Sequence, residues 1–374
     1  MGLLYRQVYE SLRDDIRGSV FAVGGKLPLE IELANRFSVS RITIKHALNL
    51  LRADGYITRR PRVGTVVVSA NPSPVPDSRG VSRPIIGLVT TSFDDAFGTR
   101  VLEGVLDAAD LDAHVIVKRS RGSVEDEGEA IRSLLDAGVL GLILLPSSSH
   151  FIPPAALELV TRQYPVVILD RSYYGIPVSA VFSDNFLSSK MATEYLFDLG
   201  HEHVGFIASA SAVSTNDERE NGYVRAHATR HIPLKPSSEL KTIQSTLPGV
   251  AACADEDIDR LVEFISARSD LTAYVVTEYN IALMLHEACR RIGLHVPDDV
   301  SIICFDHPVA FPDRGLFRFT HIAQDQLGLG RRAVQQVLAQ IRDRNGIEKT
   351  VVPSSLVPGQ STRVWHPNLG PSRA

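Results

Sequence analysis

Apolar positions follow two different rhythms along this chain. In the first 68 residues the rhythm is helical. Tyr5, Val8, Tyr9, Leu12 and Ile16 lie at i, i+3, i+4, i+7 and i+11, the stripe of an amphipathic helix. Gly24 and Gly25 interrupt it, and Leu27 and Pro28 open a second short helix carrying Ile31, Leu33, Ala34 and Phe37. Ser38 and Val39 make a turn. Ser40 then stands as an N-cap, because its hydroxyl can accept from an amide of the first turn that has no helical partner. The third helix has Ile44, Ala47, Leu48 and Leu51 as its core stripe. Arg41, Lys45 and Asn49 are spaced by four on another face, with Thr43 beside them. Gly55 ends that helix as its C-cap. Residues 56–60 and 65–68 pair as a hairpin, with Arg62 at its tip and Gly64 supplying a backbone conformation that other residues resist. Helix, turn, capped basic helix and basic hairpin, in that order, predict an α+β winged helix-turn-helix domain. Such a helix presents cations and hydroxyls to a major groove, and arginines on such a wing reach phosphates or the adjacent minor groove.

From residue 84 onward short apolar runs alternate with amphipathic stretches. The runs predict strands over 85–90, 115–118, 141–145, 166–169, 204–207, 273–277 and 301–304. The stretches between them predict helices over 99–111, 124–137, 187–199, 255–267 and 280–292. That alternation argues for parallel sheets covered by helices, a two-lobed α/β body. In such folds a ligand sits at the carboxyl ends of the strands. The candidates are therefore the polar residues that follow each run: 92–97, Lys118 and Arg119, Asp170 and Arg171, Glu278, and Asp306. Carboxylates take the protons of hydroxyl groups, Arg and Lys donate to their oxygens, and an aromatic such as Phe97 covers the apolar face of a sugar. The set suits a neutral polyol. Any one of these residues alone is equally a capping or salt-bridging loop residue; their repetition at strand ends favours binding.

Between the two regimes, residues 69–83 contain Pro72, Pro74 and Pro76 and no helical period, which reads as an extended, semi-rigid linker. The expected domains are 1–68, a linker at 69–83, and 84–374. Charge sharpens this division. The chain holds 39 Lys and Arg against 43 Asp and Glu, a net of −4, yet residues 1–68 hold eleven cations and six acids. A basic head on an acidic body points to a polyanionic partner.

Hydrophobic residues at 44% and charged residues at 22% exclude global disorder and a coiled-coil rod. The longest apolar run, 138–146, falls well short of the ~18 residues a membrane span needs. With no charged-then-apolar leader at the start, the expectation is a cytoplasmic protein with no membrane partner. Cys253, Cys289 and Cys304 have no metal or redox spacing and are expected as buried free thiols. His201, Glu202 and His203 lack a further clustered ligand, so no metal is expected, and Gly328 and Gly330 read as helix packing or initiation rather than a dinucleotide loop.

The run Leu27, Pro28, Glu30, Glu32, Leu33, Ala34, then Val39, Ser40, Arg41, Thr43, Ile44, Lys45, Ala47, Leu48, then Gly55, Tyr56, Ile57 and Gly64, Thr65 resembles the GntR family. The resemblance implies that a homodimer binds a palindromic operator. By that resemblance Arg41, Thr43 and Lys45 are base or phosphate contacts at the end capped by Ser40, and Tyr5 and Glu30 support them. Two positions depart from the family, which often has Arg where Ile31 stands and usually Arg where Lys45 stands. Lys cannot make the bidentate fork to guanine that Arg makes, so the operator sequence is expected to differ.

The body resembles the LacI/GalR effector-binding domain over about 84–363. The matching residues include Pro165 to Arg171, Asp184 and Asn185, Gly200 and His201, Glu218, Arg219, Gly222 and Tyr223, and Val296 to Asp306. The resemblance implies that Arg219 and Asp306 bind effector hydroxyls and that Asp170 and Phe97 line the same cleft. Glu278 and Tyr279 stand where the family has an Asn-Asp pair, which changes the chemistry there. A GntR head on a LacI/GalR body resembles the arabinose repressors of Gram-positive bacteria, which makes L-arabinose the first effector to try. No cofactor and no enzymatic activity are expected. The expectation is release from the operator by the effector, with action as a corepressor the alternative, and two further alternatives stay open. One is a purine or nucleoside effector stacked on Phe97, Tyr173, Tyr174 or Tyr279. The other is a pyridoxal-phosphate enzyme body, although Lys118, Lys190, Lys235, Lys241 and Lys349 stand in no Schiff-base motif.

Overall fold

A computed structural model describes residues 4–60, 64–72, 83–93, 96–235, 237–308, 317–343 and 346–366. The chain divides into two compact units, Met1–Ser82 and Arg83–Ala374.

The first unit holds helices α1 (Leu4–Arg17), α2 (Glu30–Phe37) and α3 (Arg41–Ala53), then the antiparallel hairpin β1 (Ile57–Arg60) and β2 (Gly64–Val67). Val8, Leu12 and Ile16 from α1, Leu33 and Ala34 from α2, and Ile44, Ala47, Leu48 and Leu51 from α3 meet in one core, closed by Tyr56, Ile57 and Val67. Ile31 does not join it; its side chain is 53% exposed, because α2 begins at Glu30 and turns that position outward. Asp54, not Gly55, is the C-cap of α3. Gly55 follows it in the left-handed region at φ +79°, and Tyr56 N–H donates to Leu51 O at 2.9 Å. Only glycine takes that turn without strain. Leu27 N–H donates to Thr65 O and Val67 N–H to Gly25 O, both at 2.9 Å, so residues 24–27 fasten the hairpin to the helices.

The second unit has two six-stranded sheets. The first lobe is built from β3 (Ile85–Thr90), α4 (Thr99–Ala109), β4 (His114–Arg119), α5 (Val124–Asp136), β5 (Gly141–Leu144), α6 (Pro154–Thr161), β6 (Val166–Leu169) and β7 (Ser179–Ser183). The second comprises α7 (Asn185–Asp198), β8 (Val204–Ser209), α8 (Ser214–Arg230), β9 (Glu239–Ile243), α9 (Ala254–Ala267), β10 (Ala273–Val276), α10 (Tyr279–Arg291), β11 (Ser301–Phe305) and β12 (Thr320–Gln324). Then α11 (Gln326–Arg342) and β13 (Lys349–Val352) return to lobe 1, and β14 (Ser354–Val357) to lobe 2. The chain thus crosses between lobes three times, at 183–185, 324–326 and 352–354.

Lobe 1 has the strand order β13-β7-β6-β5-β3-β4, all parallel. Lobe 2 repeats it as β14-β12-β11-β10-β8-β9, with only β14 antiparallel. Strands buried on both faces explain the unbroken apolar runs. In lobe 1, Ile86 and Leu88 face α4 and α11, and Val89 faces α5. Helices α4 and α11 cross at backbone distance: a β-carbon at Gly104 would overlap Leu327 O, and one at Gly330 would overlap Val101 O. Helix packing is therefore what Gly330 supplies. Among the described residues no helix is long and apolar enough to cross a membrane. Cys289 and Cys304 are buried, whereas Cys253 is exposed, since it precedes the first turn of α9 in a loop. His201 is buried with its two ring nitrogens 2.9 Å from Thr272 Oγ1 and from Ser301 Oγ, which occupies it structurally.

Candidate nucleic-acid interface and ligand cleft

In the first unit the N-terminus of α3 is built by Ser40. Its Oγ accepts from Thr43 N–H at 3.2 Å and lies 2.8 Å from Thr43 Oγ1. That cap orients Thr43 and leaves Arg41 and Lys45 exposed one turn apart. Tyr5 on α1 packs its ring 6.0 Å from that of His46, which braces the opposite side of α3, and Glu30 is the half-buried first residue of α2.

Three aspartates of this unit are occupied. Asp15 pairs with Arg36 at 2.8 Å, Asp14 with Arg13 at 3.0 Å, and Asp54 accepts from the Tyr9 hydroxyl. Burial, reinforced by that bond, pushes the Tyr9 phenol up to about 12, so it stays a donor. Among the described residues Arg41 and Lys45 make no ion pair. Two cations at helical spacing with no internal counter-charge present the electrostatic surface that phosphates need. Gly64, at φ +105°, opens β2 opposite Arg60. Arg62 lies outside the described residues.

In the second unit the carboxyl ends of both sheets face one cleft. Phe97, Asp170, Arg219, Glu278 and Asp306, predicted from widely separated segments, all line it. Lys118 and Arg119 do not. They belong to β4 itself, the edge strand, and are exposed. Asp170 and Asp306 occupy equivalent places in the two lobes, at the ends of β6 and β11. Both are left-handed, at φ +64° and +61°. Each donates its N–H to the neighbouring strand, Asp170 to Val181 O at 2.7 Å and Asp306 to Ile322 O at 2.9 Å. The turn swings each carboxyl off its sheet into the cleft.

Arg219 projects from α8 between them. Its Nε donates to Asn185 Oδ1 at 2.9 Å, one terminal nitrogen donates to Thr277 O at 2.6 Å, and the guanidinium lies 3.9 Å over the Phe305 ring. Asp306 Oδ2 accepts from Gln324 Nε2 at 2.6 Å, and Oδ1 from Gln326 Nε2 at 3.0 Å. Burial lifts the Asp306 carboxyl to about 6, with Arg219 and the two amides opposing the rise. Burial likewise raises Asp170, against Arg171 and Arg219, and raises Glu278, against the hydrogen bond from Ser209 Oγ at 2.5 Å. Asp170 Oδ1 has no hydrogen-bond partner among the described residues. Arg171, which alone could have been a surface partner of Asp170, is drawn inward to donate to Pro146 O.

The chemistry is that of a neutral donor-rich ligand. Three acceptor carboxyls and two guanidinium groups balance to within one charge, and each guanidinium is already anchored to a backbone carbonyl. A phosphate would meet carboxyls in excess of guanidinium groups. Gln324 and Gln326 are site residues that the strand-end argument misses, because β12 is not legible as a strand; the sequence Gln324, Asp325, Gln326 before an apolar helix is the signal that remains.

The lobes also touch beside the cleft. Ser149 N–H donates to Ala212 O at 3.0 Å, Ser214 N–H to Ser149 Oγ at 2.8 Å, and Ser172 N–H to Ser214 Oγ at 2.9 Å. Two turns meet at the rim. A β-carbon on Gly122 would lie 2.7 Å from Pro248 O, and one on Gly249 would overlap Arg121 O. The body is closed.

Comparison with known proteins agrees with both halves. Residues 4–67 match the family described as bacterial regulatory proteins, gntR family, and residues 193–362 match the periplasmic binding protein-like domain. The chain is 26% identical over 326 residues to the arabinose metabolism transcriptional repressor of Geobacillus stearothermophilus, covering 86% of each chain. It is 25% identical over 332 residues to the ribose operon repressor of Haemophilus influenzae, covering 86% of this chain and 94% of that one. The fold matches the lac repressor dimer bound to operator and the anti-inducer ONPF, with a TM-score of 0.64 and 23% identity over 76% of this chain and 96% of that one. These relatives are transcriptional repressors, not enzymes.

Proposed function

Because the chain joins a GntR helix-turn-helix domain to a periplasmic-binding-protein-like body, we propose that it is a sugar-responsive repressor acting in the cytoplasm as a homodimer on palindromic operator DNA. The observation that carries the sugar response is the cleft: Arg219 held between Asp170 and Asp306, with three carboxyls and two guanidinium groups of nearly balanced charge lining it. The relatives named for arabinose and ribose support a pentose, and L-arabinose is the first candidate. In the head, Arg41, Thr43 and Lys45 are the base or phosphate contacts, Ser40 positions them, Tyr5 and Glu30 support them, and Arg62 and Gly64 belong to the wing. In the body, Phe97 covers a ring face while Asp170, Arg219, Glu278 and Asp306 bind hydroxyls.

Sugar stabilises the closed lobes and loosens the operator. By linkage it does so only through unequal binding to the two arrangements, and operator weakens sugar by the same factor. A thermal-shift panel of pentoses, hexoses, their phosphates and purines tests this reading. A ligand at a hundred times its Kd stabilises by about 2.7 kcal/mol, a visible shift. L-arabinose is expected to shift the wild type and not Asp306→Ala. A shift from a purine alone overturns the sugar reading, and a shift from a sugar phosphate overturns the neutral-ligand argument.

A further inference from the structure

We propose that Gln326 is a positioning residue whose single side-chain amide ties the Asp306 carboxylate of lobe 2 to Ala96 of lobe 1, just before α4, so that a ligand that moves Asp306 moves the base of α4. The proposal rests on the reading of Asp306 as an effector contact. Gln326 is the first residue of α11, just past one of the three crossovers. It is buried, and its Nε2 donates to Asp306 Oδ1 at 3.0 Å and to Ala96 O at 2.6 Å. Both partners are acceptors, so the group between them must carry two hydrogens, which an amide nitrogen does and a carboxylate or an alkyl chain does not.

The flanking residues divide the roles. Gln324 ends β12 in lobe 2 and donates to the other oxygen of Asp306. It travels with the sheet that carries Asp306. Gln326 travels with lobe 1. Asp325 caps α11 by accepting from Gly328 N–H at 2.9 Å, which fixes the start of that helix, and the close approach at Gly104 and Gly330 locks α11 to α4. Rotation of the lobes about the crossover therefore preserves the Gln324 bond and strains the Gln326 bridge. Gln324 orients the carboxylate, and Gln326 transmits its position.

The test compares hydrogen exchange in the full-length wild type, Gln326→Leu and Gln326→Glu, without ligand, at pH 8. In Gln326→Leu, protection of amides 96–102 and 304–308 is expected to fall roughly five- to tenfold relative to wild type, the factor carried by about one net hydrogen bond. Gln326→Glu is expected to match that loss at pH 8, where its carboxylate faces two acceptors. Wild-type exchange in Gln326→Glu, which keeps the shape of glutamine without the two amide hydrogens, overturns the proposal. Wild-type exchange in Gln326→Leu overturns the proposal. Loss spread evenly over the whole body in both variants, rather than concentrated at 96–102 and 304–308, also overturns it, because it marks a general packing role.

Titration with L-arabinose as probe separates the two readings. If it shifts the wild type, Gln326→Leu is expected to bind it within about tenfold while the ratio of operator affinities with and without sugar falls toward one. An unchanged ratio overturns transmission. If L-arabinose leaves the wild type unmoved, the pentose reading fails, and hydrogen exchange still decides the bridge.

Discussion

The two sites of this chain hold their charges in opposite ways. In the head, Arg41 and Lys45 stand exposed with no ion pair among the described residues, while Asp14, Asp15 and Asp54 are occupied by Arg13, Arg36 and Tyr9. In the cleft, Arg219, Asp170 and Asp306 are buried and mutually compensated. On the function proposed above, the difference follows from what each partner brings. A nucleic acid carries its own charge, so its receptor needs cations left over. A polyol carries none, so its receptor must come close to neutrality by itself, since an unbalanced buried charge is costly.

Breaking the cleft's balance should have the largest effect. Arg219→Ala leaves Asp170, Asp306 and Glu278 without their shared cation and is expected to destabilise the body by about 3–5 kcal/mol. Calorimetry should show this in the transition of the body and not in that of the head. The sugar shift is expected to vanish with it.

Titration sharpens the same contrast. The folded Asp306 carboxyl, at about 6, lies above its ordinary value of 3.8. Between those values the folded chain keeps a proton that the unfolded chain has released. This group's contribution to stability is therefore full below the window, falls as pH rises through it, and is flat above. The limit is roughly 3 kcal/mol. Asp306→Asn is expected to remove that part of the slope in urea unfolding measured from pH 4 to pH 7. An unchanged slope would place the proton elsewhere.

The head should respond without any cost in folding. Arg41→Ala is expected to lower operator affinity roughly ten- to a hundredfold and to relax base preference at one position, with the unfolding midpoint unchanged. Retained affinity would remove α3 from the groove. The smallest effect belongs to Lys45→Ala. It should weaken all sequences alike and reduce the salt slope of log K by about 1 if Lys45 contacts a phosphate. A changed base preference instead would make Lys45 a base reader.

The head is legible in the sequence because its logic is local. The i, i+3, i+4 stripe of α1, the Ser40 cap and the Gly55 turn each act within a few residues, and only Ile31 faces the other way. The body is legible where strands are buried on both faces: β3, β5, β6, β8, β10 and β11 all appear as apolar runs. The strands β7, β9, β12, β13 and β14 do not. The first carries serines at both ends, β12 mixes Thr320, His321 and Gln324 among its apolar residues, and the other three are edge strands with a solvated side. Helix α8 escapes for a related reason. It buries Ser214, Thr215, Arg219 and His227 beside Tyr223 and Ala226, so its inner face is mixed and carries no continuous apolar stripe.

What the sequence determines by itself is therefore the set of parts: a capped basic helix, alternating buried strands, and polar residues stationed where those strands end. Each depends on neighbours in the chain, and short-range sterics and burial suffice to select it. What only the tertiary structure decides is their meeting. Asp170 and Asp306 reach one guanidinium because the chain crosses between lobes three times and repeats one strand order in each. Gln326 reaches Ala96 because a helix that begins beside lobe 2 packs on lobe 1. Contacts between residues so far apart in the chain come from the packing of whole sheets and helices, which no local pattern encodes.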